Sequence, residues 1–593
     1  MTSAEDSRES PAGNRVREGW AMLTSHRPQA AWAIWQSVLQ EFPGDPAALA
    51  ALDTLAAAAD LPEVARKPLR FLPPADEAAR KRWDKALRIR LTSSETPAAA
   101  APADAALAFR SLLDDAPEDT AALWNLAVCQ AWMGTNRSAV ETLDQFVTLT
   151  AERAPEKAAD AWTLAELLRH GAGAEDLADA VKLTVKLPSF LRRQVSGEDI
   201  ARSFGPIHVY SSQADSGPTP FVADMLDRPF EPAGRATASV IGSIISECIF
   251  ALISAPASPT AGIFLRELCD QWRFLNDGER ATEVEVSVLP IAMLDAAAFR
   301  FRLPADVPDD VRGALIVEAL AAWFETEWIE QPRHGLDRMT PAKASGYDSP
   351  VMRARLEGII QFQEQLARRP GREALYAGYD FDRLRYRLRL GTPPGKDDAK
   401  GEARHKALSL YDPDHVRTLE PKGLSPDDLA VAWKTASAVH DDATAIRLGQ
   451  FIADHALDSL ERIPLADFIA PFLRRSLQEG TTTDSGRDWL DFALKIDAER
   501  HSGRERPRLL KWKAEFASRC GDASAARQAW AIACEHPNAP PILAYEAAVD
   551  LWELPGGLEL THQFATEALA WTTNPYVRLL LKSAAEAEPE IQD

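Results

Sequence analysis

The stretch Ala31–Pro43, AWAIWQSVLQEFP, places a small residue (Ala31), a large one four later (Trp35), an aliphatic one three further (Val38) and a proline five beyond (Pro43). Such spacing belongs to one face of a helix that ends at the proline. The small side chain lets a second helix approach, the bulky one fills the gap beside it, and proline cannot continue the helix. Gly19 stands where the preceding helix of such a pair needs a small residue. Ala105, Phe109, Leu112 and Pro117 repeat the spacing, and the same register carried one unit on puts Leu126, Ala127, Gly134 and Ala139 on apolar, small, turn-glycine and small positions. Late in the chain Gly521, Ala526, Trp530 and Ala533 fall in register, with Pro537 one position early and Trp512 and Phe516 on the apolar face of the helix before. Further helical pairs are predicted around Trp433 to Phe451, Trp489 to Leu494 and Tyr545 to Trp571.

Composition agrees with helix pairs at both ends. The hydrophobic share is 46% because alanine, the best helix former, is abundant, and of 16 tryptophans seven precede residue 190, three lie between 191 and 420, and six come after. Between the arms the pattern changes. SFGPIHVYSS reads as a strand, ATASVIGSIISECIFALISA as two strands with a short turn, AGIFLRELCDQWRFL as a helix, and TEVEVSVLP as a half-buried strand of period two. An amphipathic helix runs next from Val311 to Trp328, then a loop and a helix from Thr340. From Pro370 to Asp427 proline, glycine and charge accumulate, as in a linker or a loose helix pair.

Spacing of this kind resembles the tetratricopeptide repeat, whose units of about 34 residues are helical hairpins. That resemblance implies helical-hairpin solenoid arms; with the strand, strand, helix, strand order between them, the fold expected is mainly α, the arms flanking a small central α+β module. The divisions expected are 1–13 disordered, 14–199 the N-terminal arm, 200–310 the α+β module, 311–410 a helical appendage with a basic segment, 411–424 a linker, 425–585 the C-terminal arm and 586–593 an acidic tail. Solenoids of hairpins bind peptides or helices on a concave face, so the function implied is a non-catalytic scaffold.

The most specific local string is WIEQPRHGLDRMTPAKA, Trp328 to Ala344. It resembles an element of the toxin-binding domain of Xre/ParS-type antitoxins and related bacterial repeat proteins, where tryptophan and proline lead into Leu-x-Gly-x-Thr-Pro-x-x-Ala. Trp328, Pro332, Leu336, Thr340, Pro341 and Ala344 match, and Arg338 stands where the pattern prefers glycine. The basic stretch Asp380 to Gly391, DFDRLRYRLRLG, resembles the segment C-terminal to that element in such repeat proteins. The resemblance implies partner binding through Trp328, Pro332, Leu336, Thr340 and Pro341, and, as an alternative function, regulatory toxin or nucleic-acid binding through the central region. The residues themselves allow a simpler reading, in which Thr340 caps a helix whose first turn holds Pro341.

Arg383, Arg385, Arg387 and Arg389 occupy alternate positions, giving a strand one basic face or a helix a basic surround. Residues 368–406 hold eleven Lys or Arg against six Asp or Glu, suited either to a phosphate backbone or to an acidic face of the same molecule. A formal charge of −22 opposes bulk affinity for nucleic acid or anionic membranes and favours a basic or amphipathic protein partner. Five scattered cysteines without a CxxC pair fit a reducing cytoplasm, no leader or membrane-spanning run is evident, and no cofactor is called for.

Catalytic signatures are missing: there is no GxSxG, HExxH, strand-borne GxGxxG or zinc spacing. GTPPGK, ending at Lys396, is one residue short of a phosphate loop and carries two prolines where donors are needed. Asp412, Asp414 and His415 in YDPDH have ligand chemistry but read more simply as a turn capping a helix, and Asp224, Asp227 and Arg228 in DMLDRP as turn formers.

Overall fold

A computed structural model describes residues 11–58, 61–74, 77–87, 102–170, 177–186, 207–212, 221–226, 238–246, 250–256, 287–292, 301–303, 307–368, 372–391, 399–479, 483–503, 505–536, 543–572 and 575–586. Among them the chain is mainly helical, and it divides into two compact units. The tail from 587, the N-terminus to residue 10 and the helix expected at AGIFLRELCDQWRFL lie outside the described residues.

The first unit comprises Met1–Ala178, Glu231–Thr237 and Pro290–Thr392. Its helices are α1 (Pro11–Thr24), α2 (Pro28–Glu41), α3 (Pro46–Ala57), α4 (Glu63–Arg66), α5 (Glu77–Leu87), α6 (Pro102–Asp115), α7 (Thr120–Trp132), α8 (Asn136–Thr150) and α9 (Pro155–His170), and later in the chain α10 (Asp309–Ala322), α11 (Pro341–Ser345), α12 (Pro350–Ala367), α13 (Glu373–Tyr376) and α14 (Phe381–Arg387). Starts and stops obey local chemistry. Proline opens α2 and α3, Asp45 caps α3 through the Ala48 N–H at 2.9 Å, Asp119 caps α7 through Ala122 N–H at 3.0 Å, and Gly134, at φ 71°, turns the chain into α8.

The register residues are buried as their spacing predicts: Ala31, Trp35 and Val38 on α2, Ala105, Phe109 and Leu112 on α6, Leu126 and Ala127 on α7, Ala139 on α8. A side chain at Gly19 would strike the Trp35 indole, whose Nε1–H donates to the Val16 carbonyl at 3.1 Å. Helices α6 to α9 pack each on the next, yet α2 lies against α7, where Trp32 stacks on Trp132 at 5.8 Å.

The helix that meshes most closely with α9 is α12, which begins 180 residues after α9 ends by count along the chain, from His170 to Pro350. Gly358 makes this possible: a Cβ there would lie 2.6 Å from Trp162 Cβ and 2.7 Å from the Ala159 carbonyl oxygen. Thr163 ties the crossing by donating to the Gly358 carbonyl at 3.1 Å and to Gln361 Oε1 at 2.9 Å. One hydrophobic core therefore unites Leu143, Trp162, Trp323, Phe324, Trp328, Ile360 and Leu384. The segment expected as an appendage to the central module is thus built into the core of the N-terminal helices.

The second unit comprises Asp179–Phe230, Ala238–Leu289 and Pro393–Asp593. Strands β1 (Leu177–Lys186), β2 (Ile207–Ser212), β3 (Phe221–Leu226), β4 (Ala238–Ser246), β5 (Phe250–Pro256) and β6 (Ser287–Ala292) line up as β2-β3-β4-β5-β1-β6. The pairs β2/β3, β3/β4, β4/β5 and β5/β1 are antiparallel; Ser243 faces Ser254 across β4/β5, and Ala180 faces Pro256 across β1/β5. Strands β2, β4, β5 and β6 fall on stretches read as strands. β1 falls where the helical arm was expected to continue, and β3 on a stretch read as a loop. LADAVKLTVK holds Val181, Leu183 and Val185 on alternate positions, a period of two that outweighs its alanines.

The helices of this unit are α15 (Ala399–Ser409), α16 (Pro413–Thr418), α17 (Pro426–Ala438), α18 (Asp442–His455), α19 (Leu465–Glu479), α20 (Thr483–Arg500), α21 (Arg506–Arg519), α22 (Ala523–Cys534), α23 (Leu543–Trp552), α24 (Gly557–Trp571) and α25 (Pro575–Ala585). From α17 onward each packs on its successor. In addition α19 touches α21, α21 touches α23 and α23 touches α25, so alternate helices share a layer. Their buried seams contain Trp433, Phe468, Leu490 and Phe516, then Trp530, Ala547, Leu551 and Phe564.

Candidate protein-binding surfaces

The Trp328–Ala344 string forms a corner that faces inward. Helix α10 loosens into a π-helical turn, Trp323–Glu327, and then into 3-10 turns at Trp328–Glu330 and His334–Leu336. Trp328 and Leu336 are fully buried and Pro341 is buried, while Pro332 is exposed and Thr340 half-buried. Arg333 is itself buried, its guanidinium 4.3 Å from the Trp328 ring centroid. Asp337 and Arg338 adopt φ of 54° and 66°, so Arg338 occupies the left-handed conformation for which glycine is preferred. Thr340 accepts from the Lys343 N–H at 3.2 Å and Pro341 opens α11.

Side chains from α9 and α12 hold the corner. The Glu166 carboxylate, paired with Arg169, lies where a Cβ at Gly335 would fall, and the guanidinium carbons of Arg169 and Arg355 lie 4.4 and 4.7 Å from the Trp162 ring centroid. Arg355 bonds Asp144 and, at 2.6 Å, Asp337.

The arginine run is helical over Phe381–Arg387, and the charges of Arg383, Arg385 and Arg387 are answered from within the unit. Arg385 bonds Glu357 and Glu364, both at 2.9 Å; burial opposes its charge, but these two carboxylates outweigh it and hold the guanidinium above its ordinary range. Arg383 Nε lies 3.0 Å and Arg387 Nη2 3.5 Å from Glu325, whose carboxylate sits in the π turn and also accepts from Tyr379 at 3.3 Å. Burial lowers the Arg387 pKa despite Glu325, and burial, with Glu325 beside it, pushes the Tyr379 hydroxyl well up. Arg389 stands at φ 56° beyond the helix end, half-buried. Glu325, Glu357 and Glu364 were not singled out from the sequence, since nothing local marks a carboxylate as the partner of an arginine 21 to 62 residues away.

Asp412 caps α16 by accepting from the Asp414 N–H at 2.9 Å, and Asp414 pairs with Arg417 at 3.1 Å. Among the described residues no group of three or more His, Cys, Asp or Glu is disposed to hold a metal, and no helix is long and apolar enough to cross a membrane. GTPPGK from residue 392, Asp227 and Arg228 lie outside the described residues, and Asp224 is described only as backbone in β3.

In the second unit α19 and α21 lie in one layer with an open groove of about 220 Å³ between them. Helix α19 contributes Ala470, Leu473, Arg474 and Leu477 to its lining, and α21 Trp512, Glu515, Phe516 and Arg519. Arg474 is tied to Asp442 by bonds of 2.9 and 2.6 Å, and Arg508, bonded to Asp467 at 3.0 Å, lies 5.3 Å from the Trp512 ring. Burial pushes the Glu515 carboxyl up, Lys511 and Arg519 pull it back, and Asp550 and Glu546 add to the rise. Lys511 is 3.9 Å from Glu515 but bonds Glu546 at 2.7 Å. The Trp512 and Phe516 pair was legible as an apolar helix face; the α19 contribution was not.

No protein-family model, no curated protein and no solved structure matches the chain.

Proposed function

We propose that this chain is a non-catalytic protein-binding scaffold whose stacked helical hairpins hold a peptide or helix of a partner protein. The observation that carries the reading is the succession α17 to α25, in which each helix packs on the next and α19, α21, α23 and α25 touch in turn, with an open, part-apolar groove between the first two. Stacks of this kind are the building principle of helical solenoids, whose exposed grooves accept extended or helical segments. Burial of the register residues Ala526, Trp530 and Ala533 supports tetratricopeptide-like hairpins. Arg383, Arg385 and Arg387, three of the four arginines that would serve a phosphate backbone, are bonded to Glu325, Glu357 and Glu364, which weighs against the nucleic-acid alternative. With the formal charge of −22, a partner of basic or amphipathic character in a cytoplasmic setting fits best.

The test is affinity capture with the tagged full chain from its native cell extract, washed at low and at high salt. A small set of proteins held at stoichiometric level through both washes is expected. Nucleic acid retained at low salt and shed at high salt, with no such protein, would replace this reading with the alternative.

A further inference from the structure

We infer that the groove between α19 and α21 receives an amphipathic segment of a partner protein, an aliphatic side chain seated on Leu473, Leu477 and Phe516 with a lysine or arginine beside it on Glu515. The inference rests on the scaffold reading and names the site and the chemistry of its ligand.

The groove supplies both halves of that recognition. Leu473 and Phe516 are nearly buried and form the floor, Leu477 and Trp512 are half-buried on the walls, and all belong to helices already fixed by the core. Glu515 opens into the same groove. The groups facing it are Lys511, Arg519, Glu546 and Asp550. Lys511 is committed to Glu546, and Asp550 accepts from Ser518 and, at 2.7 Å, from Trp530 Nε1–H. Arg519 is exposed on the turn after Glu515, and Arg474 is neutralised by its two bonds to Asp442. Two cations, Lys511 and Arg519, and two further carboxylates, Glu546 and Asp550, thus act on Glu515, an excess of one negative charge over these five groups on a chain of strongly negative charge. A cation delivered by the ligand completes this set, whereas an acidic ligand would add a fourth like charge. Aliphatic contact on the floor supplies the area that a lone surface charge pair lacks.

The probe is a synthetic peptide with leucines at helical spacing and lysines between them, labelled for fluorescence anisotropy and titrated with the full chain at physiological salt. A twin peptide carries glutamate for each lysine. The lysine peptide binds and the glutamate peptide does not; Glu515→Gln weakens binding about tenfold, as the loss of one charge-assisted hydrogen bond implies, and Leu477→Asn weakens it comparably. Glu559→Gln, an equal change of charge at an exposed site on α24, leaves affinity within about twofold. Melting temperatures of the variants confirm that the fold is retained. Equal losses for Glu515→Gln and Glu559→Gln, or binding of the glutamate peptide instead, overturn the inference. Self-association of the wild-type chain that Leu477→Asn abolishes would also overturn it, assigning the groove to a second copy. Capture from extract separates the two levels: Glu515→Gln and Leu477→Asn chains that keep the full set of partners remove the groove and leave the scaffold standing, and a wild-type chain that keeps none removes both.

Discussion

Two positions where backbone geometry asks for glycine respond in opposite directions to substitution. Arg338 sits at φ 66°, exposed, its N–H bonded to the Arg333 carbonyl at 2.9 Å. A non-glycine residue in that region costs about 1–2 kcal/mol, while glycine loses about 0.5–1 kcal/mol more entropy on folding. Arg338→Gly is therefore expected to raise stability by about 0.5–1 kcal/mol in chemical denaturation; no change, or a loss, would show that the arginine side chain makes a contact worth the strain. Gly358 is the reverse case, because the atoms that a Cβ would meet include the Ala159 carbonyl of a fixed helix. Gly358→Ala should cost about 2–3 kcal/mol as α9 and α12 are forced apart. Only part of this was legible. Arg338 was visible as a departure from a glycine-preferring pattern, but Gly358 looks like an ordinary helical glycine, since its reason lies across space on Trp162.

Helices begin and end on signals that the sequence shows, and their pairing is set by partners that it hides. Thr340, Asp412 and Asp522 each sit before a proline or small residue and cap the helix that begins there. The four arginines of Arg383–Arg389 were equally compatible with a strand or a helix, and Glu325, Glu357 and Glu364 decided the matter by meeting three of them on one helix. Strand β1 went unseen because alanines at its start, Ala178 and Ala180, prolong the helical composition before it. Caps carry a prediction in acid. The Ala525 backbone N–H and then the Arg487 pair outweigh burial to hold Asp522 below the usual carboxylate range. At Asp441 burial pushes upward, but the Thr444 backbone and hydroxyl and the Arg417 guanidinium overcome it, and its pKa too is lowered. A carboxyl depressed in the folded state stabilises fully above its unfolded pKa near 3.9, and that contribution is lost as pH falls through the folded value. Asp441→Asn with Asp522→Asn preserves the caps and removes the titration, so the fall in stability below about pH 4 should be shallower than in wild type. Both groups are screened by solvent, so the difference expected is a few tenths of a kcal/mol at each site. Identical acid limbs for the two proteins would mean that the acid sensitivity resides in other carboxylates.

At the scale of the chain, hairpin periodicity signalled helices at both ends and set the edge of the N-terminal arm at residue 199, whereas the first compact unit comprises Met1–Ala178, Glu231–Thr237 and Pro290–Thr392. A boundary near residue 199 comes from periodicity alone, because helical spacing fades there; spacing carries no information about what lies across a helix. The first unit is closed by α12, which packs against the face of α9 that carries Ala159, Trp162 and Thr163. An indole and its surroundings left in water cost about 2–3 kcal/mol, a large share of the stability of a small domain. Amide exchange in a fragment of residues 1–199 should therefore show α9 open, whereas in the full chain α9 is protected. Helices α1 to α3 have a core of their own, in which Val16, Trp35, Ala48 and Leu55 are buried, and their protection should survive. Adding residues 307–391 as a separate polypeptide should return protection to α9, with Gly358→Ala in the added piece weakening the recovery. If α9 is as protected in the short fragment as in the whole chain, the α9/α12 crossing is an accessory contact, and the sequence boundary at 199 is the physical one after all.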